Sequence, residues 1–448
     1  METPKTRYAQ SQDGTYIAYQ VFGSGPDLLV AWPWISHLEL FWEDPDVGTW
    51  LRSLARFARV ITLDQRGIGL SDRMTQVIDL ETKVDDVRAV LDGAGSRRTT
   101  LYGQGVDGGA ICAMFAATYP ERTAGLLLWS GQTCGSPPDH QWAFGEALEA
   151  EFERLIEETW GDEDTGGELM RKAGLGPLAG SPEARRRWAR TMRNAASRGD
   201  ALIHERVFMG TDFRSILPSI HVPTVVLQPE GDDDNLDEAE WTRSQIPGAR
   251  LGRLPDKDGF PPYIGDTAPN LQAVQEFLAS IHEEEAELDR VLATVLFTDI
   301  VDSTATAAVM GDAKWRGVVD EHDRIAKGLI SRYRGEYRKS TGDGLMATFD
   351  GPARAVRCAQ SFVEAVKPLG IEIRTGAHTG EITFGDNDLA GIGVHVAARV
   401  AALAGTSEVW ASSTVKDLTA GSGLSFEDAG EHELKGVPDR WHLYRVAS

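Results

Sequence analysis

Cysteine is scarce: only Cys112, Cys134 and Cys358 occur in 448 residues. They are odd in number, far apart and lack metal-ligand spacing. This excludes a disulfide framework and a finger-type zinc site, and it fits a reducing compartment. Long hydrophobic runs are missing too. None approaches the ~18 residues of a membrane span, and the opening stretch Met1–Gly14 is too polar for a secretory signal. The expectation is a cytoplasmic protein without a transmembrane segment. Basic charge is in deficit, with 45 Lys+Arg against 68 Asp+Glu and a formal net charge of −23. A nucleic-acid backbone would meet net repulsion, so nucleic acid is not an expected partner. What the chain does have is an ordinary globular balance, 42% hydrophobic and 25% charged, which argues against disorder. Its length fits two or three domains of ~100–200 residues, and no solenoid-period repeat is present.

The clearest break is Ile281–Arg290, IHEEEAELDR. The organisation read from it is a domain over 1–281, an acidic linker over 282–290 and a second domain over 291–448. The acidic run has no Gly or Pro and is able to continue a helix. In the first half, β-rich segments alternate with helical patterns. The strands are Leu28–Trp32, Val60–Leu63, Thr99–Tyr102, Gly125–Trp129, Val222–Leu227 and Ala249–Leu254; helices include Leu80–Leu91 and Gly108–Tyr119. Repeated βα units predict a doubly wound, mostly parallel sheet covered on both faces. His140–Arg198 reads as a helical insertion whose Trp142, Phe144, Phe152, Trp160 and Trp188 form core or line a cavity.

Within this half, Thr99–Pro120, TTLYGQGVDGGAICAMFAATYP, resembles the nucleophile elbow of the α/β-hydrolase fold. The likeness continues through VITLDQRGIGLSD, YPER, VPTVVLQPEGD and LPDKDGFPPYIGD. An elbow needs G-x-S-x-G to present a serine above the sheet. In the frame Gln104-Gly105-Val106-Asp107-Gly108 the nucleophile position falls on Val106, which has no attacking atom. A shifted frame offers Asp107, but the helix that follows fixes the spacing against it. The late histidine is missing from Pro255–Asp266, where Gly259 takes its place, and Asp232 is left as a surviving acid. An acid without nucleophile or base performs no acyl transfer. The expectation is a catalytically silent module with a regulatory or ligand-binding role, for which a small hydrophobic ligand is the candidate, or else a scaffold that only helps dimerise the chain.

The second half carries chemistry. Val291–Ile300, VLATVLFTDI, is a buried strand ending in Asp299, and a helix runs from Val301 toward Ile330. Glu336–Phe349 is a hairpin turning at Thr341-Gly342-Asp343-Gly344. A helix (Pro352–Val366), a strand (Ile371–His378), a helix (Val394–Ala404), a strand (Glu408–Ser412) and a last β pair complete a βαββαβ order. This predicts an α+β, ferredoxin-like sheet with helices on one face. In such a fold the hairpin lies beside the first strand, so Asp299 and Asp343 converge. Two close carboxylates repel unless a cation neutralises them, and Mg²⁺ is typically held by one or two carboxylates plus phosphate oxygens.

The stretches FTDIVDST, RKSTGDGLMATF, HTGE, DLAGIGVHVAARV and GEHELKGV resemble the class III nucleotide cyclase catalytic domain over Val291–Val446. The pairing with a hydrolase-like domain resembles multidomain actinobacterial adenylate cyclases. The resemblance implies that Asp299, Asp343 and the backbone carbonyl of Ile300 hold two Mg²⁺ or Mn²⁺ ions. It assigns Lys339 and Asp388 to base selection, Arg399 to the transition state and Lys435 to the phosphates. A lysine donor with an aspartate acceptor suits adenine N1 and N6, hence ATP. One position departs from the pattern: His395 stands where the family often has asparagine, four residues before Arg399 and on the same helix face. Loss of one transition-state donor costs on the order of 10²–10³ in rate. The implied reaction is attack of the ribose 3′-OH on the α-phosphorus with loss of pyrophosphate, at the seam of a head-to-tail homodimer. Two alternatives remain: a nucleotide-binding sensor of low turnover, and an esterase-like hydrolase with an unrecognised nucleophile.

Overall fold

The computed structural model describes residues 3–447 apart from 75–76, 138, 140, 164–166, 169–170, 172–175, 231–232, 256–261, 264–265, 289 and 385–388. The chain divides into two compact units, Met1–His282 and Glu283–Ser448. The helix Ala268–Leu288 continues through the acidic stretch.

The first unit is built on an eight-stranded sheet. Its strands are β1 (Arg7–Gln10), β2 (Tyr16–Gly23), β3 (Asp27–Ala31), β4 (Arg59–Leu63), β5 (Thr99–Gln104), β6 (Thr123–Trp129), β7 (Thr224–Pro229) and β8 (Arg250–Leu254), in the order β1-β2-β4-β3-β5-β6-β7-β8. From β4 across to β8 all neighbours pair in parallel. The antiparallel edge formed by β1 and β2 was not anticipated. Successive residues of a strand face opposite sides, and each side has its own core. Leu29, Ile61, Leu101 and Leu126 pack with the helices Leu80–Gly93 and Gly105–Thr118. Leu28, Val30, Val60 and Leu127 pack with Pro45–Leu54 and Ala268–Leu288. This two-sided burial explains why the strands read as continuous apolar runs.

The described part of the insertion is largely helical, as expected. Ser181 and Ser197 cap the helices Pro182–Ala195 and Arg198–Gly210 by accepting from the N–H groups of Ala184 and Asp200. Its aromatics serve packing: Trp160 stacks on Trp34 at 5.6 Å, Phe144 on Phe208 at 5.8 Å, and Trp188 meets Tyr263 edge-on at 6.0 Å.

The second unit contains β9 (Arg290–Ile300), β10 (Gly335–Ser340), β11 (Gly344–Phe349), β12 (Ile373–Phe384), β13 (Leu389–Ala390), β14 (Val409–Ser412), β15 (Phe426–Glu433) and β16 (Arg440–Val446). The order is β10-β11-β9-β12-β14-β16-β15, with β13 against β12. Among the described residues of this unit, β12–β14 is the only parallel pair. Two details differ from expectation. The helix foreseen from Val301 toward Ile330 is two helices, Ser303–Met310 and Asp312–Arg332, broken at Gly311 with φ +80°. Helices also cover both faces rather than one. Leu296 joins the core beneath Asp312–Arg332 and Pro352–Val366, while its neighbour Val295 packs with Ala397 of the helix Ile392–Leu403. The strand's alternation supplies apolar side chains to both sides, so both are buried.

Candidate active site

In the second unit, strand pairing aligns Asp299 of β9 with Gly344 of β11 and with Arg374 of β12. The β10–β11 hairpin turns through Thr341-Gly342-Asp343, and the Thr341 N–H donates to the Gly344 carbonyl at 2.9 Å. Position 344 requires glycine, because a Cβ there would lie 1.9 Å from the Thr298 carbonyl oxygen. That close approach sets Asp343 against the end of β9, where its carbonyl accepts from the Ile300 N–H at 3.0 Å. Asp299 and Asp343 therefore sit at the same end of two neighbouring strands.

Each carboxylate has one oxygen engaged. Oδ2 of Asp299 accepts from Arg374 Nη2 at 2.5 Å and Nε at 2.8 Å. This ion pair is partly exposed, 36% for the arginine and 29% for the aspartate side chain. Arg374 Nη1 also reaches the Ala402 carbonyl at 3.4 Å. Oδ2 of Asp343 accepts from Ser303 Oγ at 2.5 Å. Among the described residues, Oδ1 of both aspartates accepts no hydrogen bond. The Ile300 side chain is buried in the core, so only its backbone carbonyl is left to act as a ligand. The donor set is all oxygen, which suits a hard divalent cation. Among the described residues there is no group of three or more His, Cys, Asp or Glu side chains around one point. Two carboxylates plus substrate oxygens is the way Mg²⁺ is usually held.

A second cluster is cationic. Arg399 and His395 lie on the exposed face of the helix Ile392–Leu403. Arg399 Nε donates to the Lys435 carbonyl at 3.1 Å, and Lys435 sits exposed in the turn between β15 and β16. This bond ties the Arg399 side chain to the backbone of the turn that carries Lys435, and both residues are exposed. Among the described residues no hydrogen bond or ion pair joins this cluster to Asp299 or Asp343. Lys339 is exposed on β10, the edge strand, one residue past a bulge. Asp388 lies outside the described residues. His378, from the HTGE stretch, is a core residue. Its Nδ1 bonds Ser412 Oγ at 2.8 Å, and burial pushes its pKa down to about 4. Sequence reasoning missed Arg374 and Ser303. The charge of Arg374 in the strand Ile371–His378 was visible, but its partner is fixed only by the β9–β12 register. Ser303 reads as an ordinary helix-start serine.

In the first unit, the strand-to-helix corner corrects the expected frame. The helix begins at Gly105 rather than Gly108, and Gly105 carries the positive φ of the sharp turn, +62°. The corner residue is therefore Gly105. Val106 lies one place further on, fully buried among Ile111, Phe115 and Leu128. Glycine adopts this left-handed backbone without the penalty a Cβ brings, and again no attacking atom is present. Asp107 is buried, with Oδ1 3.7 Å from Lys83 Nζ and Oδ2 unpartnered, and burial raises its pKa. His204 and Glu205, on the helix Arg198–Gly210, are buried nearby. Burial drives the His204 pKa down to about 3; burial, then the Asp107 charge, drives Glu205 up to about 8. Asp232 and Gly259 lie outside the described residues. A cleft lined by Phe41, Val47, Leu178, Trp188 and Tyr263 has only about 30 Å³ of free space, against the ~300–1,000 Å³ of small-molecule sites.

Each of the two units contains a match to a known domain family. Residues 34–166 match the family of the alpha/beta hydrolase fold, and residues 286–448 match the adenylate and guanylate cyclase catalytic domain. A Rhizobium meliloti (strain 1021) protein named "Putative adenylate cyclase 3" is 31% identical over 141 residues, 30% of this chain and 23% of that relative. The chain thus spans under a quarter of that relative's length. Bromoperoxidase from Bacillus anthracis aligns over 62% of this chain and all of its own, with 20% identity and a TM-score of 0.51, a likeness of fold. The adenylyl cyclase CyaB from P. aeruginosa aligns over 36% of this chain and 95% of its own, with 22% identity and a TM-score of 0.34. Among the described residues, no helix is long and apolar enough to cross a membrane.

Proposed function

We propose that the second unit is an adenylate cyclase converting ATP to 3′,5′-cyclic AMP and pyrophosphate. The observation that carries this is the placing of Asp299 and Asp343 at one strand end, each with a free carboxylate oxygen. Divalent cations, Mg²⁺ or Mn²⁺, held there would lower the pKa of the ribose 3′-OH and neutralise charge on the phosphate oxygens. Asp299, Asp343 and the Ile300 carbonyl would hold them. Arg374 is anchored on Asp299 at the same strand end and places a guanidinium where a polyphosphate would need counter-charge. Arg399 keeps both Nη groups unengaged among the described residues, so its fork is available to a phosphoryl oxygen, and Lys435 adds charge beside it. His395 presents an exposed ring on the same face, able to donate to ribose or phosphate. Lys339, with Asp388, selects adenine over guanine by its donor at N1. Chemistry of this kind asks for positioning and electrostatics rather than a general base.

The acidic pair and the cationic pair contact different partners within one chain, which supports a site completed by a second copy. Exposed Ile392 and Leu292, 53% and 65% accessible, offer apolar surface for that association. Activity would then depend on protomer concentration and orientation. The first unit, lacking a nucleophile at Gly105, takes a regulatory role.

The test is cyclic AMP formation from ATP with Mn²⁺ or Mg²⁺, comparing wild type with Asp299→Ala, with GTP as a parallel substrate. A loss of at least about 100-fold is expected. Undiminished activity in the variant would refute the proposal, and equal use of GTP would refute the selection argument. Mixing Asp299→Ala with Arg399→Ala chains should restore activity if the site is shared between copies, and should not if each chain is self-sufficient.

A further inference from the structure

We propose that Ser303 is a positioning residue for the Asp343 carboxylate; this rests on the reading that Asp299 and Asp343 hold divalent cations. The chain leaves β9 at Ile300 and turns back through Asp302, whose φ of +50° lies in the left-handed region. A non-glycine residue is strained there. The Asp302 side chain gains no capping bond to the following helix from this conformation. What the turn does deliver is Ser303, the first residue of the helix Ser303–Met310, with its Oγ 2.5 Å from Asp343 Oδ2.

Asp302 occupies the N-cap position and Ser303 is the first residue inside the helix, so its hydroxyl is not called on to cap that end. Ser303 instead donates to a carboxylate 40 residues away in sequence. The bond fixes one oxygen of Asp343 and so fixes where the other points, before any ligand arrives. Asp299 is held by a different device, the guanidinium of Arg374. The two holders differ in charge. Arg374 offsets the negative charge of Asp299, whereas the neutral hydroxyl orients Asp343 and leaves its full charge to a cation. Asp343 is the carboxylate whose cation affinity depends on orientation by a neutral partner, and outer-sphere partners of this kind typically control about 10- to 100-fold in metal affinity.

The experiment measures Mn²⁺ binding to the full-length chain without nucleotide, by enhancement of water proton relaxation. Wild type is compared with Ser303→Ala, Ser303→Thr and Asp343→Ala, with thermal unfolding of each recorded alongside. Ser303→Ala should weaken Mn²⁺ binding about 10-fold without a matching loss of stability. Ser303→Thr, which keeps the hydroxyl, should bind close to wild type, and Asp343→Ala should lose the site. Wild-type affinity in Ser303→Ala alongside loss in Asp343→Ala would overturn the positioning role while leaving the metal site intact. Equal weakening in Ser303→Ala and Ser303→Thr would also overturn it, because the hydroxyl would then not be the cause. Undiminished binding in Asp343→Ala would remove the metal-site reading itself.

Discussion

Glu205 offers a quantitative test of how the first unit is held together. It is 4% exposed on the helix Arg198–Gly210, and its Oε1 has no hydrogen-bond partner. Burial, then the charges of Asp107, Glu149 and Glu153, raises its pKa from the ordinary 4.5 to about 8. In the unfolded chain the group ionises near 4.5, whereas in the folded chain it stays protonated until about 8. Its contribution to stability is therefore complete below pH 4.5 and is lost as pH climbs through about 8. A tenfold difference in proton affinity between folded and unfolded chain corresponds to about 1.4 kcal/mol. The whole window is thus worth up to about 5 kcal/mol. Glu205→Gln removes the titration. By calorimetry, the first unit of wild type should lose stability between about pH 5 and 8 more steeply than that of the variant. The gap should widen by several kcal/mol in the variant's favour. At about pH 5 the two should be close, apart from the about 1–3 kcal/mol cost of a poorly bonded amide. Asp64 and Glu238, each with its pKa raised to about 7, slope the same way in both proteins. The buried neutral His204 contributes the opposite trend, lost as pH falls below 6.5. Parallel profiles for wild type and variant would refute the reasoning.

Two further outcomes follow from the glycines. Gly344→Ala puts a Cβ against a backbone oxygen of β9, so β11 must shift. The second unit should lose about 1–3 kcal/mol or more by thermal unfolding, and an unchanged transition would contradict the close approach. Gly105→Ser meets nothing nearer than Pro33 at 3.9 Å and costs about 1–2 kcal/mol for its left-handed backbone. It should fold yet neither hydrolyse short acyl esters nor label with an organophosphonate; labelling would reveal an unrecognised base.

Much of this protein is set by local chemistry. β3 to β7 were legible because strands buried on both faces read as largely apolar runs. The hairpin was legible because Thr341-Gly342-Asp343-Gly344 is turn chemistry, and the silent elbow because neither Gly105 nor Val106 carries a nucleophile. The edge strand RYAQ was not, since only one of its four residues is buried. The one-residue displacement of the elbow frame was hidden as well, because counting back from the helix assumes where the helix starts. Only the tertiary structure decided that Gly105 turns the corner, that Arg374 faces Asp299 across the β9–β12 register, and that Ser303 spends its hydroxyl on Asp343. Side-chain pairing between strands is fixed by long-range register, where a one-residue slip moves every side chain to the other face. A single sequence lists the groups but does not contain that register.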